Sequence, residues 1–138
     1  MKGIVAVSHG KMAEGLVDTA NFIMGGGIEQ ITSCCLREGE SAEDYGTRLS
    51  EAIASVDTGD GVIITADLFG GTPCNQSILR LNEKNELIAG INFPTLIEIL
   101  ITRETSEMNV ASLIEKGKNS LVDVKMVISN TSMNAEDE

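Results

Sequence analysis

The chain has 138 residues, of which 42% are apolar and 22% are charged, and its formal net charge is −11. These values are typical of a single globular domain and exclude a largely disordered chain. Because 21 acidic residues stand against 10 basic ones, binding to nucleic acids or to anionic membrane surfaces is disfavoured.

The beginning of the chain predicts a buried strand followed by a helix. Lys2 to Ser8 is an apolar run rich in β-branched residues, which is typical of a strand covered on both faces in a parallel sheet. His9 and Gly10 end this run, and His9 is the only histidine. From Lys11 to Met24 apolar residues recur at helical spacing, and three consecutive glycines then end the helix.

A second strand, a helix and a third strand follow these glycines. Ile28 to Leu36 predicts the second strand, and a polar loop then leads to Ser41. Ser41 and the acidic residues after it resemble a helix N-cap and first turn. Apolar residues from Tyr45 to Val56 lie on one stripe of the predicted helix, and Val62 to Ala66 predicts a third buried strand.

The turn-rich segment DLFGGTP, Asp67 to Pro73, follows the third strand. Pro73 is expected at the first position of a short helix that continues from Cys74 to Leu81. Glu86 to Ile91 predicts a fourth strand. The next helix, Phe93 to Arg103, is apolar almost all round, so we expect it to be covered by the sheet or by a second subunit.

The last part of the chain predicts a helix from Val110 to Asn119 and an apolar run from Leu121 to Ile128. The alternation of strands and helices predicts an α/β fold, an open and mostly parallel sheet with helices on both faces. We expect one domain over residues 1–128 and an acidic flexible tail over residues 129–138.

Two further features bear on location and redox state. No apolar run approaches the roughly 20 residues that cross a bilayer, and the amino terminus lacks a secretory signal, so we expect a cytoplasmic protein without direct membrane insertion. Cys34, Cys35 and Cys74 suit neither a disulfide framework nor a zinc site, and we interpret them as reduced and buried. A thiolate nucleophile at Cys74 is the alternative.

The polar turns after the first and third strands are the candidate site. Ligands of open α/β sheets bind at the carboxyl ends of strands, and His9 and Asp67 reach the same edge if these two strands are neighbours. A carboxylate that accepts a hydrogen bond from one imidazole nitrogen fixes the tautomer and leaves the other nitrogen nucleophilic. This pattern suits a histidine that carries a group.

A phosphoryl group is the ligand that the surrounding residues favour. Gly10 places a helix N-terminus beside the imidazole, and Gly70, Gly71 and the Thr72 hydroxyl are expected to close the other side. A hydrogen-bonded turn histidine beside a tight turn remains the alternative. Nucleotide-binding motifs, a second histidine and a tight carboxylate cluster are all missing from the sequence, so we expect no cofactor and no metal.

Three segments together resemble a known family. IVAVSHGKMAEGL, DLFGGTPCNQS and AGINFPTLIEIL occur in the order and spacing of the enzyme IIA components of the mannose-type sugar phosphotransferase system of bacteria. The resemblance covers roughly residues 1–125.

The resemblance implies a phosphotransferase component that accepts a phosphoryl group from the phosphohistidine of the carrier HPr and passes it to a IIB partner. His9 matches the phosphorylated histidine of the family, Asp67 the aspartate bonded to the other ring nitrogen, and Thr72 a hydroxyl residue near the phosphate. It also implies a homodimer in which the last strand, here Val124 to Ile128, adds antiparallel to the partner's sheet. Since the chain stops at Glu138, we expect a separate IIA polypeptide.

Other functions stay open at the level of sequence. The related phosphocarrier that serves dihydroxyacetone kinase shares the first-strand histidine, although the SHG and DLFGGTP segments favour the sugar system. A regulatory module in which phosphorylation of His9 signals to a partner is a second alternative. A receiver-type signalling domain is disfavoured, because Ser8 and His9 stand where it needs acidic residues.

Overall fold

The computed structural model describes residues 1–105 and 108–136, with the side chains of the last helix described as far as Thr131. Within these residues four strands alternate with the first helices, and the remaining helices follow. The elements are β1 (Gly3–His9), α1 (Met12–Met24), β2 (Ile31–Leu36), α2 (Ala42–Val56), β3 (Val62–Ala66), α3 (Gly71–Ile78), β4 (Glu86–Ala89), α4 (Phe93–Thr102), α5 (Val110–Asn119) and α6 (Val124–Glu136).

The sheet is parallel, with strand order β2-β1-β3-β4. In the register Val7 of β1 pairs with Ala66 of β3, and His9 pairs with Leu36 of β2. The α/β fold predicted from the sequence is confirmed. Because β1 and β3 are direct neighbours, the turns that follow them lie side by side.

Two apolar clusters, one on each face of the sheet, pack the helices against the sheet. Val5 and Ile64 face α2 and α3 together with Tyr45 and Leu49, which are fully buried. The opposite cluster joins the sheet to α1, α4 and α5 through residues that include Ile4, Ala20, Ile63, Leu96, Ile99 and Leu113. Successive strand residues alternate between the two clusters, as a strand buried on both faces requires.

The prediction that the apolar helix from Phe93 is buried against other elements is confirmed. Leu96 and Ile99 are buried in the cluster that includes the sheet, and α5 packs against α4 through Leu113. Both sides are therefore covered within this chain. Ile101 remains exposed.

The start of α3 differs from the prediction. The helix begins at Gly71 and not at Pro73, so Pro73 is its third residue. Proline is compatible with this position because the first turn of a helix has N–H groups without an intrahelical acceptor. The difference places Gly71 and Thr72 in the first turn, next to the candidate site.

The prediction of a strand from Val124 to Ile128 is wrong for this structure. The segment forms the first part of α6, where Asp123 accepts hydrogen bonds from Met126 N through Oδ1 (3.3 Å) and from Val127 N through its backbone oxygen (3.1 Å). An added strand needs a neighbouring edge, whereas a helix satisfies its own backbone.

The predicted tail also lies in α6 as far as Glu136, while Asp137 and Glu138 lie outside the described residues. The division into a domain over residues 1–128 and a tail stays a prediction. In the part of the chain that the structure describes, no helix has both the length and the apolar content needed to cross a bilayer.

Candidate functional site

The site lies where the connections of the sheet diverge. From β1 the chain crosses to β2 on one side, and from β3 it crosses to β4 on the other side. This divergence opens a crevice at the carboxyl ends of β1 and β3, the usual ligand position in open parallel sheets. His9 is the last residue of β1, and Asp67 directly follows β3.

Asp67 and His9 are joined by two hydrogen bonds to one carboxylate oxygen. Oδ2 of Asp67 accepts from the backbone N of His9 at 2.9 Å and lies 2.8 Å from His9 Nδ1. The other carboxylate oxygen, Oδ1, accepts from Leu68 N at 3.0 Å. The Asp67 side chain is only 10% exposed, whereas 45% of the imidazole is exposed. The carboxylate is thus enclosed, and the ring reaches the surface.

The charge of Asp67 determines which imidazole nitrogen is free. Burial of the carboxyl raises its pKa, but the hydrogen bonds from His9 and Leu68 outweigh burial and hold the pKa below its ordinary value. The ionised carboxylate can only accept hydrogen bonds, so Nδ1 of His9 donates its proton. In the neutral ring the lone pair is therefore on Nε2.

Gly71 keeps the Nε2 side of the ring open. A Cβ atom added to Gly71 would lie 2.7 Å from His9 Cε1 and 2.8 Å from His9 Nε2. Its φ of +78° is also a backbone conformation that L side chains rarely adopt. Both constraints require glycine at this position, and the short distances show that the start of α3 faces Nε2.

The N-terminus of α3 differs from that of α2 in charge and capping. The first turn of α2 contains Glu43 and Asp44, and the Ser41 hydroxyl accepts from Asp44 N at 3.1 Å. By contrast, α3 has no side-chain cap and no acidic residue in its first turn. The N–H groups of Gly71 and Thr72 lack intrahelical acceptors, so the helix end beside His9 Nε2 favours an anion.

The other two predicted phosphate-binding residues, Gly10 and Thr72, belong to different segments around the crevice. Gly10 N donates to Leu36 O at 3.0 Å, and Gly10 O accepts from Ser8 Oγ at 3.0 Å, so Gly10 holds the turn after β1. Ser8, fully buried, also accepts from Ala13 N at 2.8 Å and fixes the start of α1. Thr72 is the second residue of α3 and is partly exposed.

An ion pair that the sequence does not predict supports the turn on the β2 side. Glu40 accepts from Arg48 through both carboxylate oxygens, at 2.7 and 2.8 Å, and from Arg37 N at 3.1 Å. Arg48 also donates to Cys35 O at 2.6 Å. The hydrogen bond from Arg48 lowers the pKa of Glu40 to about 2. No spacing rule connects Glu40 to Arg48 across a loop, so only the fold reveals the pair.

The cysteines lie apart from these interactions. Cys34, Cys35 and Cys74 are free, and Cys34 and Cys74 are buried in the cluster beneath α2 and α3. The Cys74 thiol is therefore not accessible to a ligand of the crevice. No group of three or more metal-ligating side chains occurs within residues 1–105 and 108–136.

Two apolar residues flank the crevice and were not singled out from the sequence. Leu68 and Phe69 form the turn between Asp67 and α3, and both are exposed. Leu68 Cδ1 lies 4.0 Å from the position of a Cβ atom on Gly71. Their signal in the sequence was an apolar pair inside a polar turn.

Comparison of the sequence with known families gives one match over most of the chain. The model of the EIIA-man family, described as PTS system fructose IIA component, matches residues 3–118. The mannose-specific EIIAB component of the PTS in Escherichia coli K12 is 33% identical over 127 residues, which are 88% of this chain and 39% of that protein. This chain therefore spans well under half the length of that relative.

Two further proteins are similar over most of their own length. The fructose-specific EIIA component of Bacillus subtilis 168 is 26% identical over 106 residues, which are 75% of this chain and 72% of that protein. The crystal structure of the PTS IIA protein associated with the fucose utilization operon from Streptococcus pneumoniae matches with a TM-score of 0.84 at 27% identity. The match covers 92% of this chain and 96% of that one.

Proposed function

The chain belongs to the EIIA-man family, the mannose and fructose type of IIA component in the phosphotransferase system, and we propose that it is a phosphocarrier. In this proposal His9 accepts a phosphoryl group from phosphorylated HPr and passes it to a IIB component for sugar uptake. The transfer takes place in the cytoplasm. The observation that supports it best is the single histidine with Nδ1 held by Asp67 and Nε2 facing the start of α3.

The proposed reaction is an in-line transfer between two histidines. The Nε2 lone pair of His9 attacks the phosphorus atom of the donor phosphohistidine, the phosphorus–nitrogen bond to the donor breaks, and the donor imidazole recovers that electron pair. In the second half His9 is the leaving group and the IIB residue is the nucleophile. The Nδ1 proton stays between His9 and Asp67 throughout.

Asp67 and α3 have separate roles in this reaction. When a phosphoryl group joins Nε2, the ring becomes a cation, and the ionised Asp67 carboxylate stabilises it across the 2.8 Å contact. The phosphoryl oxygens are then next to the uncapped N-terminus of α3. Its N–H groups and its positive dipole end stabilise the negative charge, with the Thr72 hydroxyl close by.

Radiolabelled phospho-HPr tests the proposal directly. We expect acid-labile label on the native protein and none on the His9→Gln variant, because the chain has one histidine. Nitrogen NMR of the phosphorylated protein should locate the group on Nε2 and the proton on Nδ1. Label that persists in His9→Gln, or a native protein that stays unlabelled, would contradict the proposal.

The acceptor separates this function from its alternatives. A phosphocarrier of the sugar system loses its label to a IIB component, whereas a carrier for dihydroxyacetone kinase transfers it to that kinase. A regulatory module keeps its label in the presence of either acceptor. These three outcomes are distinguished in one chase experiment with the labelled protein.

We also propose that the chain forms a homodimer through its C-terminal segment. Leu121, Val122 and the apolar side chains of α6 are exposed, and a run of this kind marks a surface that another protein covers. Light scattering should therefore give about twice the 14.7 kDa mass of one chain. The double variant Val127→Asp/Ile128→Asp should become monomeric, whereas Ile23→Asp, on α1, should not. A native protein that is monomeric at all concentrations would contradict the dimer.

A further inference from the structure

Two of the four aromatic side chains of this protein are almost fully exposed. Phe69 is 85% exposed and Phe22 is 86% exposed, whereas Tyr45 is fully buried and Phe93 packs partly against the core. Large apolar side chains on a surface mark sites of association when they belong to a continuous patch. Whether either phenylalanine marks such a site therefore depends on the residues around it.

Phe69 lies in the turn that joins the two residues closest to the imidazole of His9. It is in the turn between Asp67, which holds Nδ1 of His9, and Gly71, which faces Nε2. Its neighbour Leu68, also exposed, approaches the same space above Gly71. Any protein that brings a phosphohistidine to Nε2 must cover this turn.

Phe69 also lines a mostly apolar groove beside α3. The groove has a volume of about 510 Å³, and its lining includes Ile78 and Leu81, both exposed, and Leu87 of β4. An incoming protein surface can thus bury Phe69 together with further apolar area on the same side of the crevice. Phe22 lies near the end of α1, at the amino ends of the strands, whereas His9 lies at their carboxyl ends.

We propose that Phe69, with Leu68 beside it, is the apolar anchor by which this protein docks the phosphohistidine protein that donates its phosphoryl group. The proposal rests on the proposed function. The imidazole of His9 is 45% exposed in the free protein, so water has access to it. Apolar side chains that pack against the donor exclude this water and direct the phosphoryl group to Nε2. Aromatic residues at the centre of an interface account for much of its affinity.

The experiment compares two phosphoryl donors on the full chain. Phosphorylated HPr must dock on the surface, whereas phosphoramidate is a small molecule that needs only access to His9. For each variant the ratio of the two phosphorylation rates is measured at a donor protein concentration below KM. We expect Phe69→Ala to lower this ratio at least about tenfold through KM, and Phe69→Leu to recover part of the loss.

Phe22→Ala is the matched control, since it removes an equally exposed phenylalanine at a distance from the crevice. Its ratio should equal that of the native protein. Three results would overturn the anchor: an unchanged ratio in Phe69→Ala, an equal loss with both donors, or a change in oligomeric state that accounts for the effect. If phospho-HPr fails to label even the native protein while phosphoramidate labels His9, the proposed function fails and the anchor fails with it.

Discussion

Replacing Gly71 with alanine is expected to slow the phosphorylation of His9 by about 100-fold or more, because reacting atoms tolerate little displacement. The added methyl group would lie 2.8 Å from Nε2, in the space that the incoming phosphorus atom needs. If the imidazole turns away to relieve this contact, its bond to Asp67 is lost instead. Either response removes the geometry on which transfer depends. Stopped-flow or rapid-quench labelling by phospho-HPr measures the effect.

Gly90→Ala controls for backbone strain in this experiment. Gly90 has a φ of +77°, nearly the +78° of Gly71, but a Cβ atom on Gly90 meets no atom within 4 Å. The two variants therefore share the cost of a left-handed alanine and differ in the contact with His9. Equal labelling rates in the two variants would show that occlusion of Nε2 is not the cause.

Asp67→Asn is expected to slow transfer by about 100-fold to 10,000-fold, the range found when the partner of a catalytic histidine is lost. The native carboxylate accepts from His9 N and His9 Nδ1 on one oxygen and from Leu68 N on the other. An asparagine has only one oxygen, so its NH₂ group must face a donor. If it faces Nδ1, the proton moves to Nε2 and removes the nucleophile; if it faces Leu68 N, two donors oppose each other.

Two measurements separate these consequences. Nitrogen NMR of the single imidazole reports the tautomer, and single-turnover labelling reports the rate. Asp18→Asn, on the exposed side of α1, has the same change in charge and should behave as the native protein. A normal rate in Asp67→Asn would show that the carboxylate only stabilises the turn.

The same variant should alter the dependence of stability on pH. The pKa of Asp67 is lowered in the folded protein, so its contribution to the free energy of unfolding is complete above the unfolded pKa. That contribution is lost as the pH falls through the folded pKa. Urea unfolding should therefore show a difference between native protein and Asp67→Asn that is largest near neutral pH and shrinks in acid.

The sequence predicts the strands and the paired turns because their signals are local. A strand buried on both faces is an apolar run wherever it occurs, and His9 and Asp67 each stand at the end of such a run. Their meeting also requires that β1 and β3 be neighbours. The sequence does not establish that these strands are neighbours, but the strand order β2-β1-β3-β4 shows that they are.

Features that depend on distant partners were beyond sequence reasoning. The sequence predicts Gly71 beside the phosphate site, but only the structure shows that a Cβ atom there would lie 2.8 Å from His9 Nε2. The pairing of Glu40 with Arg48 likewise depends on how the loop after β2 folds back. For Val124 to Ile128 the family resemblance implied a strand, and Asp123, a good N-cap residue directly before this segment, was the overlooked sign of a helix.

Pro73 limits how strongly the proposed site can retain its phosphoryl group. As the third residue of α3, it removes one of the N–H groups that the helix would otherwise offer to an anion. A carrier has to give up its group as readily as it takes it, and every 1.4 kcal/mol or so of additional affinity would reduce the equilibrium constant for onward transfer about tenfold. In the proposed carrier, an eight-residue helix that offers one N–H donor fewer would therefore hold the phosphoryl group less strongly and favour its onward transfer.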